Sequence, residues 1–105
     1  MRGEILKGHL ELLVLTALRD GPGHGYRIIR EISARSGGEF ELNEGTIYPA
    51  LHRLERSGHV SSSWSEVGGR KRRVYRLSRK GRSALTEHAH EWRRFERAVN
   101  MLLAP

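Results

Sequence analysis

The last quarter of the chain constrains the fold most. Ser78 reads as an N-cap, and the pattern after it predicts one uninterrupted helix over 79–103. At 1.5 Å per residue such a helix is about 37 Å long, against a breadth of about 30 Å for the rest of so small a body. Its apolar stripe is Leu85, His88, Trp92, Phe95, Val99 and Leu102, with steps of 3, 4, 3, 4 and 3 residues and a single polar member, His88. That is a heptad seam. A helix longer than its own domain, with a seam and no further chain to cover it, is expected to pair with a second copy of itself.

The preceding residues divide into short elements. Leu10, Leu13, Val14, Ala17 and Leu18 recur at helical spacing, and Asp20-Gly21-Pro22-Gly23 stops the pattern, giving a first helix over about 8–20. Leu12 and Leu15 make its other side apolar too, so this helix is expected to bury two faces, the second against another subunit. A second helix over about 24–36 carries Tyr26, Ile28, Ile29 and Ile32 as its stripe and ends at Gly37-Gly38. A short alternating piece, 39–42, leads to a third helix that Asn43 caps and Ser57-Gly58 ends. Its core face is Ile47, Leu51 and Leu54; its outer face is Thr46, Pro49, His52, Arg53 and Arg56. Pro49 removes one helical donor and predicts a slight irregularity. Val60, Ser62 and Trp64 alternate, as do Tyr75 and Leu77, and Val67-Gly68-Gly69-Arg70 is the turn of a hairpin between them.

Charge and composition narrow the function. The chain has 105 residues and a formal charge of +7. Residues 70–82 hold eight cations in thirteen positions, and the remainder carries 11 basic against 12 acidic groups, a net of −1. The surplus thus meets an anionic partner at one place: nucleic acid, an acidic protein or an anionic membrane surface. A solvated basic face without a partner is the simpler alternative. There is no cysteine, hence no disulfide, zinc–thiolate site or thiol nucleophile. The longest apolar runs, 12–15 and 101–104, are four residues each, far below the ~20 of a membrane span. A cytoplasmic protein with no membrane contact is expected. No phosphate loop or nucleophile elbow is present, so an enzyme is not expected. The six histidines lack metal-ligand spacing, so neither metal nor cofactor is expected.

The fold class read from this order is mainly α with a small β-hairpin: a winged helix-turn-helix over 1–78 plus a long C-terminal dimerisation helix over 79–105, in one compact unit. In that fold the third helix enters the DNA major groove and the hairpin reaches backbone or an adjacent groove.

His24-Gly25-Tyr26, Gly45-Thr46-Ile47-Tyr48-Pro49, Leu51, Arg53-Leu54-Glu55, Gly58, Gly69-Arg70, Tyr75-Arg76-Leu77-Ser78 and Gly81-Arg82 resemble the PadR family of bacterial transcriptional regulators over about residues 10–85. His59, Ser78 in place of a threonine, and a short wing depart from the family pattern. The resemblance is to the short branch, with one C-terminal dimerisation helix. It implies a sequence-specific homodimeric repressor on an inverted-repeat operator in double-stranded DNA, released by a small molecule. It implies DNA contacts from His24, Tyr26, Thr46, Tyr48, Pro49 and Arg53, and from Arg70, Lys71, Arg72 and Arg73 on the wing. Tyr26 and Tyr48 also read as core aromatics with a buried hydroxyl partner. The dimer interface is expected from Leu12, Leu15, Leu85, Trp92, Phe95, Val99 and Leu102. The resemblance further implies an effector site at Trp92, Phe95 and His88, where two indoles sandwich a planar aromatic molecule; packed interface aromatics, with Phe95 filling the space, are the plainer reading. A sequence-nonspecific nucleic-acid binder using the basic wing, and a module docking acidic proteins, are the rival functions.

Overall fold

A computed structural model describes residue 1 and residues 6–105. A 3-10 turn, Lys7–His9, precedes α1, Leu10–Ala17; then follow β1, Gly23–His24, α2, Gly25–Arg35, and α3, Glu44–Arg56. The hairpin is β2, Val60–Val67, and β3, Arg70–Leu77, and α4 runs over Arg79–Leu103. The architecture expected from the sequence is present: helices, a small antiparallel sheet and a long final helix.

The local signals act as their chemistry requires. Asn43 Oδ1 accepts the Thr46 N–H at 3.0 Å, and Ser78 Oγ accepts the Gly81 N–H at 3.0 Å, each capping a helix start. At the end of α3, His59 N–H donates to Leu54 O at 2.8 Å and Gly58 N–H to Glu55 O at 3.0 Å. This double closure needs the left-handed φ of +81° that Gly58 adopts. Gly68 and Gly69 have φ of +60° and +77°, as a two-residue hairpin turn matched to strand twist demands. Pro49 lies within α3 without breaking it.

Four expectations need correction. The first helix is shorter than 8–20; its start is a 3-10 turn and its α-helical part ends at Ala17. The sheet has three strands in the order β1-β3-β2, because Gly23 and His24 pair with Tyr75 and Val74 of β3. Two residues are too few to show an alternation, so no sequence pattern announces β1. The alternating piece 39–42, read as extended, pairs into no strand. Tyr26 is not on the core face of α2; it is 54% exposed, while Ile28 and Ile32 are buried.

The core gathers Val14 and Leu15 from α1 and Leu18 just after it, Ile28 and Ile32 from α2, Ile47, Ala50, Leu51 and Leu54 from α3, Val60 and Tyr75 from the hairpin, and Leu85 from α4. Leu15 is completely buried there, so it does not offer a face to another subunit as expected, while Leu12 and Leu13 of the same helix stay half-buried. Leu85 likewise packs into the protomer core rather than into an outward seam. Beyond it α4 departs from the body, and the molecule measures 58 × 28 × 21 Å.

Gly81 fixes that departure. A Cβ there would collide with His59 O, so α4 sits backbone to backbone on the exit of α3. Ser78 Oγ donates to Gly58 O at 2.6 Å, and Lys80 Nζ to Ser57 O at 2.7 Å, across the same junction.

Candidate nucleic-acid interface

The residues of the two family-like motifs meet in space. A Cβ on Gly25 would come within 2.6 Å of the Tyr48 ring, so Tyr48 of α3 lies directly over the start of α2. His24 caps α2: its Nδ1 accepts the Arg27 N–H at 3.2 Å. Its Nε2 lies 2.8 Å from Arg72 Nη1 of β3. Two donors therefore converge on a ring that, when neutral, has one acceptor nitrogen. Burial, then the charges of Arg72 and Arg27, hold the His24 pKa below its ordinary value. Tyr26 stacks nearly parallel to His24, centroids 6.5 Å apart, and takes the Arg30 guanidinium over its ring at 5.7 Å. Both tyrosines thus stand beside the basic surface, Tyr26 exposed and Tyr48 half-buried.

Between α3 and the wing lies an open cleft of about 560 Å³, lined by His24, Tyr26, Tyr48, Trp64 and the run Arg70–Arg73. Among the described residues Arg70 and Lys71 form no ion pair. Arg72 is engaged with His24. Arg73 Nε donates to Ser62 Oγ at 2.9 Å, and its Nη2 lies 4.0 Å from Glu55 Oε2 of α3. Pro49 and Arg53 are exposed on α3. The Thr46 hydroxyl donates to Asn43 Oδ1 at 3.2 Å, so its part is shared with the cap.

Sequence reasoning missed Trp64 and Glu55. Trp64 alternates in phase with buried Val60, which marks it as core, but β2 outruns the body and leaves the indole 65% exposed. Of the expected effector residues, His88 Nε2 lies 3.6 Å from Glu11 Oε2, and Trp92 packs edge-on against His9 at 5.4 Å and against Phe95 at 5.9 Å. Trp92 also lines an open groove of about 540 Å³ with Leu12, Leu13, Phe40 and Leu85. Trp92, Phe95 and Leu102 are 40%, 58% and 84% exposed, and Val99 is half-buried.

A capped third helix, a basic two-stranded wing and a cleft between them define a winged helix-turn-helix protein of the DNA-binding class. The profile of the transcriptional regulator PadR-like family matches residues 14–87, and the chain belongs to that family. It is 42% identical over 84 residues, 80% of this chain and 76% of the other, to the transcriptional regulator Rv3488 of Mycobacterium tuberculosis. The structure of a PadR family transcription regulator from Clostridium difficile R20291 superposes with a TM-score of 0.80 at 31% identity, covering 92% of this chain and 100% of that one. A PadR family regulator from Eggerthella lenta superposes with a TM-score of 0.81 at 33% identity, over 95% and 86% of the two chains. The chain is a transcriptional regulator of this family. No helix among the described residues is long and apolar enough to cross a membrane.

Proposed function

We propose that the chain is a cytoplasmic homodimeric repressor, and not a catalyst, that binds an inverted-repeat operator. The observation that carries this reading is the shared cleft: Tyr48 of α3, His24 and Tyr26 at the start of α2 and the cations of the wing line one concave surface. The division of labour follows from charge. Arg70 and Lys71 meet phosphates, where each contact releases counterions and adds to the salt dependence. Arg53, with Thr46, Tyr48 and Pro49, faces the base edges, where an arginine pairs bidentately with guanine O6 and N7. Arg73 lies 4.0 Å from Glu55, which favours a contact within the protein over one to phosphate.

Residues 1–78 are the reading head and 79–105 join two heads. The seam that remains for a second copy is Leu12, Trp92, Phe95, Val99 and Leu102, without Leu15 and Leu85. Paired α4 helices set the two α3 helices about 34 Å apart, one turn of DNA, and exclude polymerase from an overlapping promoter. A planar aromatic effector stacking on Trp92, beside Phe95 and His88, would change that separation; the open groove at Trp92 supports the reading.

The test is enrichment of duplexes from a random library, with the bound species sized by analytical ultracentrifugation. Two chains per duplex and a preference of at least ~10³ over mixed-sequence competitor are expected. Equal binding to all duplexes would favour the nonspecific reading instead. A chain bearing Leu102→Glu should sediment as a monomer and lose the tight complex.

A further inference from the structure

Trp64 is the largest exposed side chain of the wing. Its cross-strand partner in the hairpin is Arg73, whose guanidinium carbon stands 5.3 Å from the indole centroid. The same guanidinium is held by Ser62 at 2.9 Å and by Glu55 at 4.0 Å, and the Ser62 hydroxyl itself donates to Glu55. Glu55 belongs to α3. A continuous line of contacts therefore runs from α3 through Glu55 and Arg73 to the Trp64 ring, which lines the cleft beside Tyr48, Arg70 and Lys71.

Arg73 is thereby a poor phosphate ligand and a good ring support. The indole face carries a negative quadrupole and disfavours a phosphate; its apolar area suits the least polar part of a nucleic-acid backbone, the deoxyribose. The phosphates flanking that sugar would meet Arg70 and Lys71. We propose that Trp64 is a DNA-contacting residue whose indole packs on a deoxyribose of the strand seated in the cleft, with Glu55 and Arg73 as its positioning pair. The proposal rests on the duplex-binding reading of that cleft. Because every nucleotide has the same sugar, the contact adds affinity for all sequences. Because it displaces no counterion, it adds nothing to the salt dependence.

The experiment uses the full chain labelled with 5-fluorotryptophan and a mixed-sequence 30-base-pair duplex at low salt. The two tryptophans give two fluorine resonances, and the Trp64 line is the one missing from W64F. Adding duplex is expected to shift that line. W64A should bind on the order of tenfold more weakly, with an unchanged slope of log K against log salt, and W64F should recover most of the loss. E55Q also frees Arg73 for phosphate, so its readout is the resonance rather than the affinity. The Trp64 line of the free chain should move, and its further shift on adding duplex should be smaller than in the wild type, with thermal melts confirming that the variants are folded. A duplex that binds wild type and W64A equally, with the Trp64 line unmoved, overturns the proposal and leaves the duplex-binding reading standing. Failure of the wild type to bind the duplex at low salt overturns both.

Discussion

Single residues at the wing root carry two duties. His24 caps α2 through Nδ1 and faces Arg72 through Nε2. Burial first, and then the charges of Arg72 and Arg27, disfavour the protonated ring and lower its pKa, and protonation also removes the ring's acceptor. In the unfolded chain the group titrates near its ordinary 6.5. The unfolded state therefore binds the proton first, and the native contribution is complete above that pH and lost as pH falls through the depressed value. Melting temperature measured from pH 7.5 to 5 should fall more steeply for the wild type than for His24→Asn, which keeps a capping oxygen but does not titrate. Parallel curves would remove His24 from the account. Residue identity was legible here only in part. The capping role of Asn43 and Ser78 is local and is read from one turn of sequence. The convergence of Arg72 on His24 spans 48 positions and is set by β1, which no pattern reveals.

At the scale of elements, the hairpin, α3 and α4 are locked by a few close approaches. The docking of α4 depends on the bare Cα of Gly81 against His59 O, with Ser78 bonded to both sides of the junction. Gly81→Ala should cost about 3 kcal/mol in urea denaturation, as overpacking against rigid backbone does. Gly8→Ala, with nothing within 4 Å of its added Cβ, should change stability little. Similar losses at both glycines would show that the close approach is not what matters. The boundaries of α2, α3 and α4 were legible because caps, glycine stops and periodicity coincide. The face of α1 was not: with leucine on all sides, periodicity gives no direction, and Leu15 went to the core rather than to a partner. Tyr26 was set on the core stripe and Trp64 given no role for a related reason. Large aromatics in phase with aliphatic residues mimic core positions, and only the extent of the body decides which are covered.

For the whole molecule, the basic surplus is less uniform than its sequence run suggests. Arg73 is held by Glu55, Lys80 by Ser57 O and Arg82 by Arg19 O, so part of the cluster fastens the wing and α4 to the body. Arg70 and Lys71, at the wing tip, are left to meet a partner. On the proposed function, affinity and specificity lie on different elements, the wing and α3. This separation is tested most directly by measuring binding of Arg53→Ala and Arg70→Ala to an enriched duplex and a mixed-sequence duplex over a range of salt. Arg53→Ala is expected to lose discrimination between the duplexes, by ~1–3 kcal/mol, as removal of a base contact does. Arg70→Ala is expected to weaken both equally and to lower the salt slope by about one. If the two variants lose affinity and discrimination alike, wing and helix do not divide the work and the account is contradicted.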